Sequence, residues 1–426
     1  MGKKGGPRVF YGWWIVAVST VATCLDGALY FYGFSTFFLP LTQEFGWGRA
    51  ALSGAFSLSR LEGGIMGPLG GFLVDRLGPG KLMLAGVSLM GAGYIVISRI
   101  DSLLAFYLVF ILLIAAGSTI ALHQATLVAV ANWFIRKRGL AMGIVMSGIG
   151  LGGLGVPLLT WLILGSGWRI AAVVAGLVVW AVGIPLALAM RHRPEDHGLL
   201  ADGRALAEAD QGAPDPNAEA TPMVAPDFTP GQALRTPVFW MLCFTLGLRW
   251  LVVSAVVVHF IPLMVGIGLS QEVAATMLAS LAVVSIIGRL SFGWLGDLFE
   301  KRYVMASSLL LLTIGCLLCA AMQDWWYALI FVIVYAPGYG GGATLMFAIR
   351  AEYFGRRHFG TIMGLMDFIQ IWGVVLGPVF AGWVWDVTGS YSTAFLIFAA
   401  TSALSMALML ALRRPVLEPA PEVELA

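Results

Sequence analysis

Charge is what this chain has least of. Of its 426 residues, 11% are Asp, Glu, Lys or Arg and 59% are hydrophobic, whereas soluble globular domains carry roughly 25% charge. Water is therefore not expected to be the main solvent of the folded chain. The formal net charge of +2 excludes the broad basic surface that nucleic-acid binding requires. Cysteine is sparse too: Cys24, Cys243, Cys316 and Cys319 all fall inside apolar runs. Cys316 and Cys319 have a CxxC spacing, but no second Cys or His pair accompanies them, so they read as small packing residues rather than a metal or redox site. HExxH, GxSxG and His/Cys clusters are all missing, which argues against an enzyme and implies no cofactor and no metal. A cleavable leader is not expected, because the first apolar run extends from near Tyr11 to about Pro40, far longer than a signal segment.

What is abundant is long apolar sequence. A hydrocarbon core of ~30 Å needs about 20 apolar residues per crossing. Such runs fall near 12–40, 50–74, 82–99, 103–130, 138–164, 169–190, 237–265, 272–296, 303–322, 325–348, 359–384 and 391–412. Twelve spans place both chain ends on one side. Lys3, Lys4, Arg8, Arg76, Lys81, Arg136 to Arg138, Arg191, Arg193, Lys301, Arg302, Arg350, Arg356, Arg357, Arg413 and Arg414 all sit on that side, whereas the opposite loops hold Arg49, Arg99 and Arg169. The positive-inside rule then predicts cytoplasmic termini in a cell inner membrane. Residues 191–235 are rich in Ala, Pro, Asp and Glu without apolar periodicity, and read as a flexible cytoplasmic linker. The expected fold is an all-α membrane protein of twelve transmembrane helices: a six-helix bundle over 1–190, the linker, a second bundle over 236–414 and a disordered tail over 415–426.

The two halves repeat. Gly71-Phe-Leu-Val-Asp75-Arg76-Leu-Gly78-Pro-Gly80-Lys81, after the second span, parallels Gly293-Trp-Leu-Gly-Asp297 with Lys301 and Arg302, after the eighth. Trp133-Phe134, a basic cluster, Gly143 and Pro157 parallel Tyr353-Phe354, a basic cluster, Gly364 and Pro378. The offsets, 222 and 221, agree closely enough to indicate duplication. The short glycine-rich turn joins two spans tightly, and an Asp at a helix end can pair with basic groups in one conformation only.

The Gly71/Asp75/Arg76 pattern resembles the signature of the major facilitator superfamily. Tyr11-Gly12-Trp13-Trp14-Ile15-Val16 opening the first span and Trp133-Phe134-Ile135-Arg136-Lys137-Arg138-Gly139-Leu140-Ala141-Met142-Gly143 opening the fifth resemble the signatures of the monocarboxylate transporter family and of its bacterial-type relatives, the oxalate:formate antiporters. The resemblance covers the whole chain. It implies two bundles that rock around a central site near the bilayer midplane, lined by spans 1, 4, 7 and 10, with Gly71, Asp75, Arg76 and Asp297 as the gating motif. In those families an arginine in the eighth span binds substrate carboxylate, and Arg289 stands at the matching place. Two departures are visible: Ser285 stands where many members have an acidic residue, and Tyr32 where many have a lysine. The resemblance thus implies a secondary active transporter of small carboxylates such as lactate or pyruvate, with coupling to protons through other groups. The alternative is a dicarboxylate or aromatic-acid exchanger of the oxalate:formate type. Its partners would be an organic anion, a proton and the lipid bilayer, and it would act as a monomer.

Charges within spans cost at least ~2.5 kcal/mol each at a helix centre, so they line cavities or pair. Arg60, Arg249 and Arg289 stand against Asp26, Glu62 and Asp367. Arg60 and Glu62, two residues apart, point to different sides of a helix. Asp26, near the middle of the first span, is the leading candidate for proton coupling, with Glu62 and Asp367 behind it. His123 and His259 are further candidates for ligand contact, more often packing residues in such helices; His259 precedes Pro262, where a helix break is expected. Tyr335 and Tyr339, one turn apart, can offer hydroxyls to an anion, and the Pro337-Gly338 and Gly340-Gly341-Gly342 around them permit bending or close contact. A basic pocket of this kind would repel the cations of a drug exporter.

Overall fold

The computed structural model describes residues 10–134, 138–191, 194, 228–355 and 359–415. Lys3, Lys4, Arg8, Arg136, Lys137, Arg193, Arg356, Arg357, most of the linker and nearly all of the tail lie outside the described residues. Twelve long helices carry the chain back and forth. In the first half these are α1 (Tyr11–Phe45), α2 (Arg49–Leu77), α3 (Pro79–Ile97), α4 (Leu103 through Trp133), α5 (Arg138–Gly152 and Gly155–Ser166) and α6 (Trp168–Ala189). The second half holds α7 (Pro237–Gly266), α8 (Gln271–Leu298), α9 (Lys301–Ala320), α10 (Trp325–Phe354), α11 (Phe359–Thr388) and α12 (Ser392–Ala411). Eleven are long and apolar enough to cross a membrane. The twelfth, α2, has 29 residues, enough for about 43 Å at the helical rise, and is less apolar because it carries Arg60 and Glu62.

Within lipid, every backbone group must be satisfied inside the segment, which explains three differences from the sequence reading. Pro40, Pro262 and Pro337 lie inside helices that run through them, so the break expected near Pro262 is not formed. Arg350 belongs to no loop: α10 runs on to Phe354 and Arg350 is completely buried. The linker is ordered at its end, where Thr229 caps the short helix Pro230–Arg235 through a reciprocal box with Gln232. Phe228 is buried there, donating its N–H to the Phe354 carbonyl at 3.1 Å.

The duplication is visible in packing. In the first half α1 lies on α5, where a Cβ on Gly152 would strike the Cys24 carbonyl and one on Gly27 the Ile149 carbonyl. In the second half α7 lies on α11, where a Cβ on Gly373 would strike the Gly247 carbonyl. Small residues thus bring equivalent helix pairs into backbone contact, the way apolar helices associate in lipid.

The halves touch at mid-membrane and on the side away from the termini, hereafter the far side. Asp386 at the end of α11 accepts from the backbone N–H groups of Arg49 and Ala50, both at 3.0 Å, capping α2 from the other half. The Arg49 guanidinium lies 3.8 Å from the Trp385 ring centroid and donates to the Tyr391 hydroxyl at 2.8 Å. Ser35 of α1 donates to the Val258 carbonyl of α7, and Ser57 of α2 to the Val375 carbonyl of α11. No hydrogen bond joins the halves at the ends near the termini among the described residues.

Candidate functional site

Arg249 of α7 is 1% exposed and donates through Nη2 to the Tyr339 carbonyl at 2.8 Å. Its Nε and Nη1 meet no acceptor among the described residues. The side chain fits because Gly342 has no Cβ, which would lie 2.6 Å from Nε. Tyr335 and Tyr339 stack with ring centroids 6.3 Å apart, as their one-turn spacing predicts. Across the cleft, the Tyr32 hydroxyl lies 3.3 Å from that of Tyr339. Arg289 of α8 donates through Nη1 to the Met146 carbonyl of α5 at 2.7 Å and leaves Nε without a partner among the described residues. It is close enough to Arg249 and Tyr32 for its charge to act on both. Arg249, Arg289, Tyr32, Tyr335 and Tyr339 therefore form one group, with two cations, three hydroxyls and unused guanidinium N–H donors.

On the first half, the Asp26 carboxylate accepts a short hydrogen bond from Ser118, with Arg60 and His123 within electrostatic range. Arg60 lies over the rings of Tyr30, Phe31 and Phe56 at 4.9, 4.9 and 4.6 Å, an arrangement that holds a guanidinium by its face, and its Nη2 is unpartnered. Tyr30 is in turn fixed by Ser59, hydroxyl to hydroxyl at 2.9 Å. Both Glu62 oxygens are sealed from solvent; the Thr119 hydroxyl approaches, but no hydrogen bond of good geometry reaches either oxygen among the described residues. His123 is exposed and within reach of the charges of Asp26, Arg60 and Asp367, the last from the opposite half. Three π-helical turns hold this group: Gly27–Phe31 in α1 carries Tyr30 and Phe31, Phe110–Ala115 lies in α4, and Thr119–Gln124 in α4 carries Thr119 and His123. Such turns are frequent at functional sites.

Two sequence candidates lie elsewhere. Asp367 does not stand free in the cleft but pairs with the buried Arg350 at 2.8 Å, while Arg350 also donates to Gln370 at 2.8 Å. His259 is fully buried in the far-side contact: Nδ1 meets the Tyr391 hydroxyl at 2.8 Å, and Nε2 meets the Pro378 carbonyl at 2.8 Å and the Ser53 hydroxyl at 2.9 Å. It is a joint between helices there, remote from the arginine pair. Of the gating motif, Gly71 and Asp75 lie in α2, their surroundings outside the described residues, and Arg76 and Asp297 are exposed at the helix ends. Sequence reasoning missed Ser118, Arg350, Asp386 and Tyr391. Arg350 had a legible signal, four residues before the end of the apolar run that closes at Phe354; the others are common polar residues with none. Ser285 is fully buried with its hydroxyl on the Ala282 carbonyl at 2.6 Å, and a Cβ on Gly340 of α10 would strike its backbone carbonyl, so α8 and α10 are in close backbone contact here. Cys316 and Cys319 are buried in the apolar core, unbridged.

Two six-helix halves, duplicated in sequence and joined around buried charges, define a membrane transporter. The chain belongs to the Major Facilitator Superfamily, whose family model matches residues 16–297 and 261–425. It is similar to monocarboxylate transporter 12 of Rattus norvegicus, 26% identical with 93% of this chain and 84% of the relative covered. The oxalate:formate antiporter of Oxalobacter formigenes is 25% identical, with 93% and 90% covered. Among solved structures, a bacterial homolog of the human lysosomal transporter Spinster, inward-facing and unoccupied, superposes with a TM-score of 0.71 at 18% identity over 98% of this chain and 100% of the other, a likeness of fold.

Proposed function

We propose that this transporter carries small monocarboxylates together with protons by alternating access across a cell inner membrane, acting as a monomer with both termini in the cytoplasm. The carrying observation is the pair Arg249 and Arg289, buried or half-buried at mid-membrane with N–H donors that the protein itself leaves unused. A planar guanidinium with free donors matches a carboxylate's geometry, and a desolvated site makes that bond strong. The tyrosine hydroxyls of Tyr32, Tyr335 and Tyr339 supply further donors for a 2-hydroxy or 2-keto oxygen. Arg289 bonds the Met146 carbonyl across the cleft; an arriving carboxylate competes for that donor and loosens a cross-half contact, which gives binding a means to bias reorientation. The relatives named for monocarboxylates and for oxalate and formate support an anionic substrate. Protonation of one of Asp26, Glu62 or Asp367 supplies the coupling. Asp75 and Asp297 would mark helix ends that separate and meet as the cleft closes.

A second reading, dicarboxylate exchange, draws on the same two arginines, since two cations within mutual range can each hold one carboxylate. Uptake of labelled lactate, pyruvate, oxalate and an aromatic acid into proteoliposomes, with and without a pH gradient, tests both. Monocarboxylate accumulation toward the alkaline side supports the first. Strict one-for-one exchange of a dicarboxylate, indifferent to the gradient, supports the second.

A further inference from the structure

The three intramembrane carboxylates are not equivalent. Asp26 holds a short hydrogen bond from Ser118 and has Arg60 within range. Asp367 is ion-paired with Arg350. Arg60 is within range of Glu62 as well and the Thr119 hydroxyl approaches it, but among the described residues Glu62 alone of the three has neither a cation in contact nor a hydrogen-bond donor of good geometry, and neither of its oxygens reaches solvent. Holding a bare carboxylate in that state is costly, and a group so placed sheds the cost by taking up a proton. We propose that Glu62 is the group that carries the proton through the transport cycle, an inference resting on the carboxylate reading above.

The charge count agrees. With Arg350 now inside the span, four arginines (Arg60, Arg249, Arg289, Arg350) face three carboxylates; Arg350 is paired with Asp367, and Arg60 acts on both Asp26 and Glu62. What remains is Arg249 and Arg289 on the second half and one carboxylate in excess on the first, of which Glu62 is the one without a well-formed hydrogen bond among the described residues. One proton on Glu62 and one monoanion at the arginines leave the net charge of the loaded carrier equal to that of the empty one, so the loaded form crosses without added electrical cost. The proton and the anion thus bind on opposite halves, and each half contributes to the loaded state. The groups acting on Glu62 are Thr119 from α4, Tyr30 from α1 and Arg60 on its own helix; Arg60 in turn acts on Asp26 of α1 and His123 of α4, and Asp367 of α11 acts on His123 from the opposite half.

The test compares wild type, Glu62→Gln and the control Gly165→Ala, where an added Cβ meets nothing within 4 Å, in proteoliposomes loaded with labelled lactate, reading pH-driven accumulation and lactate counterflow separately. Glu62→Gln is expected to keep counterflow, lose accumulation to simple equilibration and lose the pH dependence of counterflow, whereas Gly165→Ala keeps all three. A Glu62→Gln carrier that accumulates as wild type does, or one that is monodisperse yet has lost counterflow, overturns the assignment. Should the Gln variant not be recovered folded, Glu62→Asp decides: a displaced pH profile supports Glu62, an unchanged profile overturns it. Wild-type protein that moves none of lactate, pyruvate or oxalate removes the carboxylate reading and this inference together; wild-type accumulation with an indifferent Glu62→Gln removes the inference alone.

Discussion

Arg249 commits one of its guanidinium nitrogens to the Tyr339 carbonyl and keeps two idle in a buried site. A buried donor without an acceptor costs roughly 1–3 kcal/mol, more when charged, so the position makes physical sense when a ligand completes it. Arg249→Lys keeps the charge but loses the planar fork. Loss of a hydrogen bond to a charged group, about 1.5–3 kcal/mol, predicts a KM for the transported anion raised roughly ten- to a hundredfold, read from initial uptake rates. Tyr339→Phe removes one neutral hydroxyl and predicts a rise of only about two- to tenfold. An isolated arginine in an apolar run is conspicuous, so Arg249 and Arg289 were legible from the sequence. Which carboxylate each arginine meets was not, because pairing depends on helix rotation: Asp367 turned out to be taken by Arg350, a residue that charge counting assigned to a loop. His259 shows the same limit. Its chemistry suits ligand contact and its place, three residues from Pro262, suggested a break, yet its ring closes a joint between halves.

At the scale of helices, the outline was written in hydropathy. The expected spans and the observed helices differ mainly at their ends, where α1 and α10 run on by five or six residues because a helix in lipid has no reason to stop at the first polar residue. The π turns of α1 and α4 were invisible, since one extra residue per turn leaves no signature in composition. Close helix contacts were foreshadowed by glycines but not located by them. Gly340 is the sharpest case: its missing Cβ lets α10 close on the Ser285 carbonyl of α8. Gly340→Ala is expected to destabilise the second half by about 1–3 kcal/mol, the usual cost of overpacking, visible as a lower Tm in detergent. Gly165→Ala, where a Cβ meets nothing within 4 Å, should leave Tm unchanged and serves as the control.

Across the whole molecule, the far-side contact forms a directional ring. Arg49 donates to the Tyr391 hydroxyl and Tyr391 to His259 Nδ1; His259 Nε2 donates to Pro378 and Ser53, and Ser53 to the Arg49 carbonyl at 2.7 Å. These directions are assigned from the network: Ser53 spends its proton on the Arg49 carbonyl and Tyr391 accepts from Arg49, and a ring with its proton on Nε2 completes both. The ring joins α2 of one half to α7, α11 and α12 of the other, and Asp386 adds a cap to α2. It has to break before the far side can open, so weakening it shifts the population rather than the chemistry. Asp386→Ala leaves the N–H groups of Arg49 and Ala50 without their acceptor, a loss of about 0.5–2 kcal/mol of capping. Spin labels at the far-side ends of α1 and α7 should then report a longer second distance that wild type lacks. A distribution unchanged from wild type would mean that the ring does not hold the gate. The central claim, that a carboxylate binds at the arginine pair, is tested most directly by labelled lactate uptake in proteoliposomes with Arg289→Ala beside wild type. The predicted result is saturable, pH-driven uptake by wild type and its loss in the variant. Wild-type uptake rates by Arg289→Ala for every carboxylate offered would contradict it.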